Sequence, residues 1–333
     1  MNRLLVAVLL LFALISGCQT SSPQYIANNG NVFGTYYNII YQSPKGFNLV
    51  GEIEAELHRI DMSLSTYQNE SVLSKVNQNV PVVLDSLFIK VFNRSLEISA
   101  FTNGAFDPTV APLVNAWGFG FKKKEQVTEL LIDSIKAFVG YQKVRLNNMV
   151  IEKDDPRLML DFSAIAKGYA VDVIGELLHR LGCENYLVEI GGEVFAKGVN
   201  NEGNVWRIGI NEPNENETDP QSALQAIVKL QNKAMATSGN YRNFYYENGK
   251  RFAHTIDPET GYPIDHSLLS ATVLANDCMT ADALATALMV LGLKKAQELI
   301  VKLDNVEVFL IYADESGENQ ILMTKGFQEN IMK

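Results

Sequence analysis

Along this chain, apolar residues recur at two spacings, every second residue or every third to fourth, and the changes between them mark out its elements. The segment Val32 to Tyr41 opens with Phe33-Gly34-Thr35 and then alternates through Tyr36, Asn38 and Ile40, which predicts a strand. Pro44-Lys45-Gly46 turns the chain. Leu49, Ile53, Leu57 and Ile60 follow at helical spacing. Residues 61–67 read as irregular, Ser71 to Asn77 as a short helix, and Val82-Val83-Leu84 as a brief pairing segment. Asp85 caps a helix to about Phe101, with Leu87, Val91, Leu96 and Ile98 on its core face, and Thr102-Asn103-Gly104 ends it. Residues 105–121 are apolar and aromatic yet broken by prolines and glycines, so this loop must be buried or line something. Glu125 to Val139 reads as helix, and Val144 to Glu152 as a hairpin around Asn147-Asn148.

Leu158-Met159-Leu160 then predicts the end of a buried strand that runs straight into a helix reaching about Leu181. Either Asp161 or Ser163 can cap that helix. The small residues Ala164, Ala166, Gly168 and Ala170 let another group approach the helix start, whose free N–H groups suit an anion. Taken alone, this stretch reads first as an ordinary strand–helix junction with small packing residues. Beyond it the pattern is mostly β. Strands are expected at residues 186–190, 193–199, 205–210, 224–230, 234–238, 244–247, 251–256 and 268–275. Thr280 to Leu291 and Leu293 to Leu303 predict two helices, and residues 306–312 and 320–324 a closing hairpin. Residues 211–220 form a polar excursion. No interdomain linker stands out, so the expected fold class is α+β, a single two-lobed domain over residues 26–330 with a mixed or antiparallel sheet and packed helices.

Composition narrows the function. The chain has 333 residues, 47% hydrophobic and 20% charged, with a net charge of −10. That balance supports a sizeable core and lacks the basic footprint of a nucleic-acid binder. Residues 4–15 are an unbroken apolar run after Arg3, too short for an ordinary membrane span, and they read as an export signal. The run ends in Leu14-Ile15-Ser16-Gly17-Cys18, which resembles the bacterial lipobox. Residues 1–17 are thus expected to be a lipoprotein signal peptide, Cys18 the lipidation site, and residues 18–25 a polar tether holding the domain to a bacterial membrane. A plain secretory signal is the alternative. In a Gram-negative cell the anchored protein would face the periplasm. Cys183 and Cys278 remain, either as one disulfide or as small buried hydrophobes.

Three further stretches carry candidate chemistry. His254 precedes the turn Asp257-Pro258-Glu259-Thr260-Gly261 and can act as base or acid, or serve as a structural histidine at that turn. Asp282 and Thr286 lie four apart on one helical face, where a carboxylate and a hydroxyl can form part of a magnesium shell. A surface aspartate and a threonine bonded back to its own helix is the alternative. Gly191-Gly192-Glu193 lets a ligand or backbone come close, without being a dinucleotide fingerprint.

Taken in order, Ala105 to Val110, Leu113 to Gly120, Asp161 to Ala170, Glu189 to Glu193, His254 to Pro263 and Ala281 to Gly292 resemble the FAD:protein FMN transferases, the ApbE family. The resemblance covers nearly all of the chain after the signal and implies an ApbE-like, T-fold-related architecture. It implies Mg2+-dependent cleavage of FAD, with FMN joined to a threonine or serine hydroxyl of an acceptor flavoprotein and AMP released. The expected acceptor is a redox-complex subunit or an exported reductase. The expected magnesium ligands are the Ala164 carbonyl, the Asp282 carboxylate and the Thr286 hydroxyl. Flavin and adenine contacts fall at Phe33, Tyr67, Ala105, Phe106, Asp107, Asp161, Lys167 and Ile256. His254 is expected to help deprotonate the acceptor hydroxyl, and Trp117 and Phe119 to help wall the flavin pocket. Phe33 stands where many relatives have methionine, and Ala285 where some carry a further acidic ligand. Some relatives have glutamate in place of Lys167. An FAD pyrophosphatase and a non-catalytic flavin-binding lipoprotein are the alternatives.

Overall fold

The computed structural model describes residues 24–121, 126–213, 224–240, 244–247 and 250–332. The signal peptide, Cys18 and most of the tether lie outside these residues, as does most of the 211–220 excursion. An eight-stranded sheet organises the fold: β1 (Gln24–Val32), β2 (Thr35–Ser43), β5 (Tyr186–Ile190), β6 (Glu193–Lys197), β9 (Lys233–Gly239), β12 (Leu268–Ala275), β13 (Glu307–Ala313) and β14 (Asn319–Met323), in that spatial order. Every ladder in it is antiparallel. Three two-stranded ribbons stand beside it: β3 (Val144–Asn147) with β4 (Val150–Lys153), β7 (Trp206–Asn211) with β8 (Leu224–Leu230), and β10 (Phe244–Glu247) with β11 (Lys250–Ala253). The segments expected at 205–210, 224–230, 244–247 and 251–256 are therefore strands, but they form ribbons rather than extending the sheet.

The helices are α1 (Val50–Leu64), α2 (Val72–Asn77), α3 (Ser86–Phe101), α4 (Ala111–Ala116), α5 (Glu129–Lys136), α6 (Ala166–Arg180), α7 (Cys278–Ile300) and α8 (Lys325–Asn330). Asp85 caps α3 as expected, its side chain accepting from Phe88 N–H. Helix α7 is apolar and buried on nearly every side from Cys278 to Met289, the mark of a helix segment enclosed in the core, and only its last turns carry exposed lysines and a glutamate. Gly292, whose φ of 69° and ψ of 171° are non-helical, divides α7 at the boundary between the two helices expected there. One face of the sheet packs on α6 and α7 in the main core with Ile39, Val188, Ala236 and Val273. The other face packs on the β7–β8 ribbon and α8 through Leu187, Trp206, Val228 and Phe327. A third core joins α4 and α5 through Leu113, Trp117, Ile132 and Ile256. No helix of the described residues is long and apolar enough to cross a membrane.

Several expectations fail for local reasons. Strand β1 carries polar residues, among them buried Asn28, whose side chain accepts from Tyr41 Oη at 3.0 Å, and so shows no apolar alternation. It begins at Gln24, inside the stretch assigned to the tether. Val82-Val83-Leu84 pairs with nothing and is coil. Leu158-Met159-Leu160 is also coil, although Leu158 and Leu160 are fully buried. There the side chain of Asn77 replaces a partner strand, donating to the Leu160 carbonyl and accepting its N–H at 2.8 and 2.7 Å. Cys183 and Cys278 are both buried and free, so the disulfide is not formed.

Candidate active site

The region before α6 is held from two sides. Asp161 N–H donates to the Pro108 carbonyl at 2.7 Å, tying this segment to the aromatic loop. Phe162, fully buried, meets Phe88 edge-on at 5.5 Å. Neither Asp161 nor Ser163 caps α6: the Asp161 carboxylate closes its own turn by accepting Ser163 N–H at 2.8 Å, and the helix begins at Ala166. Burial raises the Asp161 carboxyl above the ordinary aspartate range, against the lowering effect of the Ser163 hydrogen bonds.

Helix α6 lies almost in contact with the start of α7. A Cβ on Gly168 would stand 2.3 Å from the Cys278 carbonyl oxygen and 2.8 Å from Asp282 Cβ, so only glycine permits the approach. Two aspartates satisfy the free donors at the α7 N-terminus. Asp277 accepts from Thr280 N–H at 2.8 Å. Asp172, reaching across from α6, accepts from Cys278 and Met279 N–H at 2.7 and 2.9 Å. Burial raises the Asp172 carboxyl to about 7 against the pull of those bonds.

The close approach redirects one hydrogen bond. In a continuous helix, Gly168 N–H would donate to the carbonyl four residues back, that of Ala164. Instead it donates to Asp282 Oδ2 at 3.0 Å, and the regular pattern starts with Tyr169 N–H on Ile165. The Ala164 carbonyl is left without that helical donor. It lines the same cavity as Asp282, which is 2% exposed, and Thr286, whose Oγ1 lies 3.1 Å from Ser238 Oγ. A carbonyl, a carboxylate and a hydroxyl are hard oxygen donors, and this set fits a small hard cation such as magnesium.

The Lys167 ammonium stands 3.1 Å from Glu193 Oε1 and 3.7 Å from Asp282 Oδ2. Burial works to lower its pKa, but the adjacent Asp282 and Glu193 charges outweigh burial and hold it above the usual lysine value. Glu193 moves up to about 7, chiefly by burial, with Lys167 opposing and Asp282 adding to the shift. Glu193 is the site residue that the sequence reading missed. Its signal is an acidic residue at the start of a strand that otherwise faces inward, directly after a Gly-Gly turn.

These groups open into one cavity of about 1330 Å³ that is also lined by residues of β2, β5, β9 and the β7–β8 ribbon. Tyr67, Ala105, Phe106, Asp107, Asp161, Ala164, Lys167, His254, Ile256, Asp282 and Thr286 all line it. His254 meets Phe119 edge-on at 6.4 Å. The following turn is fixed by Gly261 N–H on the Asp257 carbonyl at 2.8 Å and by Trp117 Nε1 donating to the Gly261 carbonyl at 2.9 Å. Trp117 stacks on Phe252 and is 5% exposed. Phe119 therefore walls the cavity, while Trp117 supports the turn from behind and is not part of the lining. The Asp107 carboxylate is taken up by Thr109 N–H and Oγ1 and by Tyr141 N–H at 2.6–2.9 Å, so it shapes its loop. Phe33 lies outside the cavity lining. It occupies the β1–β2 turn with a φ of 52° and borders a shallow depression that shares Gly34, Thr35 and Tyr36 with the main cavity.

Residues 33–310 match a profile of the ApbE family. A protein of Haemophilus influenzae named FAD:protein FMN transferase is 41% identical over 328 residues, covering 94% of this chain and 93% of its own. A Vibrio cholerae protein of the same name is 37% identical over 326 residues, covering 95% and 96%. Among solved structures, the flavin transferase ApbE from Vibrio cholerae superposes with a TM-score of 0.83 at 36% identity, covering 92% of this chain and 99% of that one. The flavinyl transferase ApbE of Pseudomonas stutzeri in its apo form gives 0.82 at 35%, covering 92% and 97%.

Proposed function

This chain belongs to the ApbE family, and from that premise we propose that it transfers FMN from FAD to a threonine or serine hydroxyl of an acceptor flavoprotein and releases AMP. The observation that carries the reading is the convergence of Ala164, Lys167, His254, Asp282 and Thr286 on one cavity, with the Gly168 N–H diverted from Ala164 to Asp282. In the transfer, the acceptor hydroxyl oxygen bonds to the phosphorus on the FMN side, and the pyrophosphate P–O bond to AMP breaks. His254 takes the hydroxyl proton. Tyr67, Phe106 and Ile256 offer aromatic and apolar surface to the ring systems of FAD. Lys167 and Arg207 bring positive charge to a cavity that also holds the Asp161, Glu193 and Asp282 carboxylates.

The Ala164 carbonyl, the Asp282 carboxylate and the Thr286 hydroxyl would hold Mg2+. Magnesium at such a site neutralises phosphate charge and stabilises the charge that develops on the leaving AMP. Residues 26–330 make up the catalytic domain in this reading. Residues 1–17 are a signal peptide, and Cys18 carries lipid that holds the domain to the cell-envelope membrane, at the periplasmic face in a Gram-negative cell. The acceptor is a redox-complex subunit or an exported reductase that meets it there.

Purified protein, FAD and Mg2+, incubated with a flavoprotein acceptor fragment, should give covalently fluorescent acceptor and equimolar AMP. Free FMN and AMP with unlabelled acceptor would replace this reading with an FAD pyrophosphatase. Intact FAD under the same conditions would leave a flavin-binding protein without catalysis.

A further inference from the structure

Lys167 stands between two carboxylates that water barely reaches. The side chain of Glu193 is 6% exposed and that of Asp282 is 3% exposed. The two acids are served unequally. Asp282 Oδ2 accepts from Gly168 N–H and also faces the Lys167 ammonium. Glu193 receives the ammonium on Oε1, while its buried Oε2 has no hydrogen-bond partner among the described residues. A buried carboxylate oxygen without a donor is costly, and native structures rarely leave one unless something else comes to it.

The nearest mobile donor is Lys167 itself, with three protons on a flexible stem. Its path is already cleared. Gly191 has a φ of 63°, and a Cβ there would stand 3.4 Å from Lys167 Cδ, so the lysine stem runs along the Gly191-Gly192 turn. Glu193 follows that turn as the first residue of β6, paired opposite Ile190, and its backbone is fixed by the hairpin. The ammonium can therefore pivot between the two acids by side-chain rotation alone.

A divalent cation arriving at Asp282 would meet an ammonium already beside the same buried carboxylate, and the two positive charges repel each other. We propose that Glu193 is a positioning residue that draws the Lys167 ammonium away from Asp282, leaving the Asp282 carboxylate to a divalent cation. The inference rests on the magnesium reading of the Ala164–Asp282–Thr286 set and adds a residue outside it. With Glu193 present, the lysine has a second partner and the cation displaces it at little cost. Without that carboxylate, Lys167 competes for Asp282.

The test is Mn2+ binding to the full chain without FAD, followed by the electron paramagnetic resonance of the free ion. Glu193→Gln should weaken Mn2+ binding by about tenfold or more, the order expected for one lost charge pair in a buried site. In a Lys167→Ala background the same substitution should change binding by less than about threefold, because no ammonium remains to compete. Equal weakening in both backgrounds would overturn the inference, since Glu193 would then act on the cation directly. No weakening in either would overturn it as well. Should Glu193→Gln fail to fold by circular dichroism, Glu193→Asp applies the same comparison, because the shorter acid reaches Lys167 less well. Failure of the unsubstituted chain to bind Mn2+ would instead overturn the cation reading.

Discussion

Replacing Gly168 with alanine adds one methyl group at the tightest contact between α6 and α7. The new Cβ would lie 2.3 Å from the Cys278 carbonyl oxygen, 2.7 Å from its carbon and 2.8 Å from Asp282 Cβ. The first two atoms are backbone, and the third is fixed to the backbone, so no flexible side-chain end can swing aside. Ordinary contact begins near 3.4 Å, and the helices must therefore separate by about 1 Å at this point. Overpacking of this kind costs about 1–3 kcal/mol, of which alanine's better helix propensity returns at most about 1 kcal/mol. Taking a net cost of about 1–2 kcal/mol, at roughly 2–4 °C per kcal/mol for a large domain, the melting temperature should fall by about 2–8 °C. The functional loss should be larger than the stability loss. The same separation stretches the Gly168–Asp282 hydrogen bond and moves Asp282 and Thr286 relative to Ala164, and a displacement of about 1 Å in a catalytic constellation can cost roughly 100-fold in rate. Thermal melting by circular dichroism measures the first quantity and the rate of acceptor labelling with fluorescent flavin the second. A Gly168→Ala protein with unchanged melting temperature and unchanged labelling rate would refute the claim that helix contact at this residue sets the site.

Asp282→Ala should reduce magnesium-dependent transfer by at least about 1000-fold, in line with loss of a group that acts with others as a unit, while far-ultraviolet circular dichroism stays native; near-normal transfer would remove Asp282 from the site. His254→Ala should lower acceptor labelling by about 100-fold with little change in the dissociation constant for FAD, and an equal loss in both would make it a binding residue. Asp172 is pushed up to about 7 from an ordinary 3.8, mainly by burial, so the folded chain holds a proton that the unfolded chain has lost. Its contribution to stability is therefore full below pH 4 and lost as pH rises toward 7, and Asp172→Asn should flatten the fall in melting temperature across that window.

How much of this was legible in the sequence depended on whether a residue's role lay in its own neighbourhood. Asp85 announced its cap and Asp282 and Thr286 their shared helical face, because i to i+3 and i to i+4 relations are local. Strand β1 was hidden because its register is set by pairing with β2 and its polar Asn28 is satisfied by Tyr41. Leu158 to Leu160 looked like a strand because burial gives the same apolar run whether the partner is a neighbouring strand or, as here, one asparagine side chain. Glu193 stands out in the sequence as the end of a Gly-Gly turn and of a motif, but not as a site carboxylate, since nothing nearby in sequence says that Lys167 and Asp282 face it. Trp117 read as a pocket wall because an aromatic residue in a loop does not reveal which side of the loop it fills.

The eight strands of the central sheet lie side by side in the order in which the chain makes them. Residues 44–185, 198–232, 240–267 and 276–306 are thus excursions, each leaving one strand and returning to its neighbour about 5 Å away. The first carries Tyr67, Asp161 and Lys167, the third His254 and the fourth Asp282 and Thr286. Each behaves as a cassette plugged into an unbroken meander. Doubling the length of a flexible loop costs only about 0.6 kcal/mol of closure entropy, so the loops within these excursions can lengthen without changing the strand order, whereas α6 and α7, packed on the sheet and on each other, are fixed in place.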